Sequence, residues 1–258
     1  MHIDSSNNGK NKLKINSNKP VLSNENDIDY ALSASNIKSI EPHSGGNKLI
    51  WDMRYPGFKS FDGMVLYSSP NVGPKVTPGK YNLKMTYNNT VLTKELEIVK
   101  DPRVKTSQED FEKQLEFLIE VRNEVSRANQ KIIDIRKIKS DMSFIKDKTD
   151  NNISLKTMID QYLIELSIIE NNIHMTKNQS RQDPLNFGIR INNRIAFLLA
   201  DSQRGDFAPT DQSKEFFKDV KKELDIQADS LKEVIKSHSQ KIKDYIETNK
   251  IELISFEN

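Results

Sequence analysis

Apolar residues along this chain change their period once, a little past residue 100. Before that point they alternate. Tyr81, Leu83, Met85 and Tyr87 are separated by Asn82, Lys84 and Thr86, the period-two pattern of a strand with one buried face. Asn88-Asn89 then predicts a turn into Val91–Val99, where Leu92, Leu96 and Ile98 are candidates for the inner face. Two shorter apolar runs follow turn-forming residues: Leu49-Ile50-Trp51 after Ser44-Gly45-Gly46-Asn47, and Met64-Val65-Leu66-Tyr67 after Asp62-Gly63. Pro78-Gly79 has the chemistry of a type II turn. These pieces predict a small antiparallel sandwich of the Ig-like kind.

Beyond Asp101-Pro102-Arg103 the spacing becomes helical. Thr106 or Ser107 can cap a helix whose first turn holds Glu109 and Asp110. Its seam runs through Phe111, Leu115, Leu118, Val125 and Ile132 to Ile138, Met142 and Ile145, with Arg122 and Asn129 in two seam positions. A second helix from near Ser154 carries Leu155, Ile159, Tyr162, Leu166, Ile169 and Ile173 on one stripe. A short one holds Ile191, Ile195 and Leu198 or Leu199. The last, from about Asp211 to Glu247, carries Phe216, Val220, Leu224, Leu231, Val234, His238 and Tyr245. The expected architecture is therefore α+β in two domains: a small Ig-like sandwich over 28–104, then an antiparallel bundle of three long helices and one short one over 105–258. Residues 1–27, rich in Asn, Lys and Ser, read as a flexible lead-in or as a strand fragment lacking its partners.

Composition narrows the chemistry. The 39 basic and 37 acidic residues nearly cancel and alternate along the helices, which argues against a nucleic-acid partner. Cysteine is absent, which removes disulfides, thiolate metal sites and a cysteine nucleophile. No apolar h-region opens the chain, and no apolar run approaches the ~20 residues of a membrane span. The four histidines are scattered, and no metal or cofactor spacing is present. His238 is expected as a hydrogen-bonded core residue, and His2, His43 and His174 as exposed ones.

Trp51, Asp52, Arg54 and Tyr55 form the candidate binding surface, since aromatic rings beside a guanidinium suit stacking on a sugar or peptide. The competing reading makes Trp51 the core of its sandwich, with Arg54 packed over it. Asp183, Asn186, Arg190 and Asn193 form a second group, read as helix caps and loop anchors. No catalytic residue is assigned. Asp52 and Asp62 are the acids to inspect for general acid–base work.

In order, Trp51-Asp52-Met53-Arg54-Tyr55-Pro56, Gly73-Pro74-Lys75-Val76 and Pro78-Gly79-Lys80-Tyr81 lead to Asp101-Pro102-Arg103. Gln182-Asp183-Pro184-Leu185-Asn186-Phe187-Gly188-Ile189-Arg190-Ile191-Asn192-Asn193 and Gly205-Asp206-Phe207-Ala208-Pro209-Thr210 complete the series. Over roughly residues 36–247 this resembles the C-terminal region of bacterial sortilin-type, BNR-repeat proteins, many of them labelled glycosyl hydrolases. Such proteins place a β-propeller with Asp-box repeats ahead of this region. No such box occurs here, and Gly188 stands where the family usually has proline. The resemblance implies a non-catalytic accessory module that docks to a propeller, to a partner chain or to the cell envelope, and an extracytoplasmic setting if the chain is the tail of an exported protein. Its alternatives are part of a glycoside hydrolase, or a helical module that self-associates into a homo-oligomer.

Overall fold

The computed structural model describes residues 12–17, 45–48, 50–87, 90–149, 151–251 and 253. The protein is mostly helical with one small antiparallel sheet. In chain order the elements are β1 (Lys12–Ser17), β2 (Gly79–Tyr87), β3 (Thr90–Ile98), α1 (Gln108–Lys148), α2 (Ile153–Ile173), α3 (Pro184–Phe187), α4 (Ile191–Asp201) and α5 (Asp211–Thr248). No described helix is long and apolar enough to cross a membrane. The described chain forms two compact units that interleave in sequence: 1–58, 71–122 and 199–211 make the first, and 59–70, 123–198 and 212–258 the second.

The first unit holds the sheet, ordered β1-β2-β3 and antiparallel throughout. Tyr81 pairs with Leu96 and Met85 with Leu92, while Ile15 and Leu13 oppose Leu83 and Met85. Directly opposed residues share a face, so one face of the β2–β3 hairpin collects Tyr81, Leu83, Met85, Leu92 and Leu96. Tyr81 is buried, whereas Leu92 is exposed at the far end of the hairpin. Residues 12–17, read from the sequence as lead-in or strand fragment, find their partner in β2. The Asn88-Asn89 turn itself lies outside the described residues.

Among the described residues, neither short run expected as a strand forms one. Ile50 is exposed, Leu49 lies outside the described residues, and Met64–Tyr67 is irregular. In the second run a side chain takes the place of a strand: Tyr67 exchanges its backbone bonds with the Asn193 amide. Gly79 has φ 152°, far from the ~80° of a type II turn, and opens β2 directly.

The helices follow their periodicity closely. Ser107 caps α1, its Oγ accepting from Asp110 N at 3.1 Å. Asn152 caps α2 through Leu155 N. The six stripe residues of α2 are all buried, as are Ile191, Ile195, Leu198 and Leu199 on α4. On α5 the stripe sits one residue later than expected at its start: Phe217 is buried and Phe216 exposed. Within the second unit α2 and α5 run antiparallel, tied by Asn172–Gln227 at one end and Tyr245–Asn152 at the other.

Candidate functional site

In the first unit the residues expected as a binding surface are largely used in packing. Trp51 is half-buried. Its indole N–H donates to Arg54 O at 3.2 Å, and its ring meets Tyr81 edge-on at 6.2 Å. Arg54 Nη1 donates to Gly73 O at 2.8 Å and to Gln203 Oε1 at 2.9 Å. Backbone bonds Tyr55 N→Pro74 O and Val76 N→Met53 O zip residues 53–55 to 74–76. Burial, then the neighbouring Tyr81, pushes the Tyr55 hydroxyl up to about 12, so it stays a neutral donor at physiological pH. Asp52 remains exposed, its Oδ1 accepting from Arg54 N. The cavity nearby, about 40 Å³ and lined in part by Lys75, Thr77, Gln114 and Gln203, has room for a few waters and not for a sugar ring. Arg54→Met is expected to cost about 1–2 kcal/mol, because it removes the one nitrogen that donates to both Gly73 O and Gln203 Oε1. Denaturant unfolding followed by Trp51 emission measures it.

The second unit contains the protein's buried polar cluster, on segment 59–70 and helices α1, α2 and α4. Asn129 of α1 is fully buried; its Nδ2 donates to Lys59 O at 2.6 Å and approaches Met64 Sδ. Asn192 of α4, also fully buried, donates from Nδ2 to Asn129 Oδ1 at 3.1 Å and lies 3.2 Å from His174 Nδ1. His174, the C-cap of α2, is 2% exposed, a correction to its expected surface position. Phe61 stands edge-on to its ring at 5.0 Å and carries the Arg136 guanidinium on its face at 4.7 Å. Glu170 pairs with Arg136 at 2.8 Å and Lys139 at 2.9 Å. Burial opposes the Glu170 charge, yet these two cations hold its carboxyl below the usual range.

The second predicted group separates by role. Asp183 accepts from Gln179 N and from the backbone and hydroxyl of Ser180, which holds its carboxyl low; it anchors the preceding loop and makes no cap bond to α3. Asn186 is exposed on α3. Asn193 is buried, clamping Tyr67 N and O and Ser69 Oγ. Arg190 is half-buried, with its Nε out of solvent and lacking a partner. His238 bridges to Glu165 at 3.1 Å and stacks on Tyr162 at 4.9 Å.

Arg190 borders a groove that sequence reasoning did not anticipate. Asn172 of α2, Ile189 and Arg194 at the start of α4, and Glu223 and Ile226 of α5 complete it. Arg194 is neutralised by Glu223 at 2.6 Å, which leaves Arg190 as the groove's unpaired cation among the described residues. Ile189 is 40% and Ile226 61% exposed. Ile168 and Ile164, one and two turns before Asn172 on the same α2 face, are exposed as well. The sequence signal was the pair of isoleucines four apart outside the buried α2 stripe.

Asp62 is exposed. No group of three or more His, Asp or Glu side chains suited to a metal occurs among the described residues. Every described carboxyl group with a displaced acidity (Asp101, Glu165, Glu170, Asp183 and Asp229) is displaced downward by the donors beside it. A scan against models of known protein families matches none, and searches of curated proteins and of solved structures find no significant match.

Proposed function

We propose that this chain is a non-catalytic docking module, similar to the C-terminal tail of sortilin-type propeller proteins, and that it binds a β-propeller through the groove of its second unit. The observation that carries this is the pair of exposed isoleucines, Ile189 and Ile226, that line the groove with the unpaired Arg190, with Ile168 and Ile164 exposed on the α2 face that carries Asn172. Exposed apolar side chains grouped around one cation suit a protein partner with a carboxylate beside an aliphatic patch. In finer detail, the sheet would be one layer of an Ig-like sandwich, and the helices an antiparallel bundle of three long members and one short one.

Light-scattering mass of the chain mixed with a sortilin-type propeller encoded separately in the same genome tests this. A one-to-one complex is expected. Ile226→Asp should weaken it at least about tenfold while leaving thermal stability nearly unchanged, because that side chain already faces water. A chain that ignores the propeller, or a complex indifferent to Ile226→Asp and Ile168→Asp, overturns the proposal. A concentration-dependent dimer of the chain alone would move the groove's role to self-association.

A further inference from the structure

Beneath the groove lies a bond whose survival depends on one proton. Asn172, two residues before His174, forms the α2 side of the groove, and Arg190 and Ile191, immediately before Asn192, form part of the α4 side. The His174–Asn192 contact therefore joins the two walls from inside.

The direction of each hydrogen bond in the cluster is dictated by its outer end. Lys59 O can only accept, so Asn129 must present Nδ2 to it and Oδ1 to Asn192. Asn192 must then present Nδ2, and the same Nδ2 faces His174 Nδ1 at 3.2 Å. His174 Nδ1 must accept, so its single ring proton sits on Nε2 and the imidazole is neutral. Asn192 Oδ1 is left buried with no partner.

A second proton on His174 has no arrangement that satisfies this chain. Nδ1–H would face the Asn192 N–H. Turning the Asn192 amide over would give Nδ1–H an acceptor, but it would bring Oδ1 against Asn129 Oδ1. Turning Asn129 as well would remove the donor from Lys59 O. The charged groups facing the ring do not rescue it. Arg136 of α1 repels the new charge, and Glu170, one turn back on α2, is already shared between Arg136 and Lys139. The Phe61 ring, edge-on to the imidazole, offers it no hydrogen bond.

We propose that His174 and Asn192 form a proton-operated latch: neutral His174 holds the α2 end and the α4 start together, and proton uptake releases them and loosens the groove. This rests on the groove being the docking face, and makes docking favour neutral over mildly acidic conditions. Burial above all, then the Arg136 charge, moves the His174 equilibrium downward, with the Glu170 charge acting the other way. The sign follows: the open form binds a proton more readily than the closed one, so opening grows as pH falls below about 6.5 and levels off at the closed form's lower value.

Hydrogen exchange and imidazole nitrogen NMR on the full chain alone, from pH 7.5 to 5, test the latch without a partner. Protection factors at the His174, Ile195 and Ala196 amides should fall about tenfold per pH unit inside that window, while those around Tyr162 stay level. The NMR signal should show Nδ1 as the unprotonated nitrogen at pH 7.5 and proton uptake over the same range. In His174→Asn, whose Oδ1 stands where Nδ1 does and which cannot charge, the local pH dependence should vanish. Unchanged protection in the wild type, a neutral His174 throughout, or an Nε2-acceptor tautomer overturns the latch, and none of these needs the variant to fold. Failure of the docking proposal reads separately, as no propeller complex at pH 7.5. Complex formation that ignores pH while the latch titrates would overturn the link between the two.

Discussion

Gly73→Ala is expected to destabilise the first unit by about 3 kcal/mol, out of proportion to one added methyl group. A Cβ at Gly73 would lie 1.9 Å from Tyr55 O and 2.5 Å from Pro56 O. Both contacts are backbone, so no side chain can swing away. The two segments also cannot separate cheaply. Tyr55 N→Pro74 O and Val76 N→Met53 O fix their spacing, and Arg54 is bonded to Gly73 O itself. Relief would cost these bonds together. Trp51, the chain's only tryptophan, lies on the same strip and packs on Tyr81, so its emission in a denaturant titration reports this unit. Gly46→Ala is the control, since nothing lies within 4 Å of a Cβ there. Equal stability of the two variants would show that the close approach relaxes freely.

Asn129→Leu is the second large effect, expected at about 3–5 kcal/mol. Leucine nearly matches the volume, so the loss is not one of packing. It comes from removing the Asn129 amide from Lys59 O and from Asn192 Nδ2, at roughly 1–3 kcal/mol for each buried bond lost. The double variant with Asn192→Leu should lose less than the sum of the two single changes, because Asn192 no longer brings a stranded donor. Thermal unfolding of the four proteins closes the cycle. Additive losses would mean that the two amides act independently and the network has no cooperative core.

How legible this was depended on the range of the interaction. The sequence located α1, α2, α4 and α5 to within a few residues, since caps such as Ser107 and stripes such as Leu155 to Ile173 act over one or two turns. The same periodicity flagged Arg122 and Asn129 as interruptions of the α1 seam without saying what they bond. Phe216 and Phe217 are adjacent aromatics, and periodicity alone chose the wrong one by 100° of helix rotation. His174 stands just past the last stripe residue, where the period stops informing, and its burial came from Phe61 and Asn192. The groove was invisible for a related reason: Ile189 and Ile226 come from separate elements.

What the linear pattern contains is each element's length, its buried face and the alternation of the β2–β3 hairpin, all consequences of neighbours a few residues apart. What it leaves open is which distant residue answers each buried polar group. Asn129 meets Asn192 across 63 positions and Tyr67 meets Asn193 across 126. The Tyr67–Asn193 pairing takes the backbone bonds of Tyr67 that a strand would have used, and the Asn129–Asn192 pairing brings α1 and α4 together beside His174. A buried donor or acceptor must find a partner wherever the fold supplies one, and only the folded chain places these partners together.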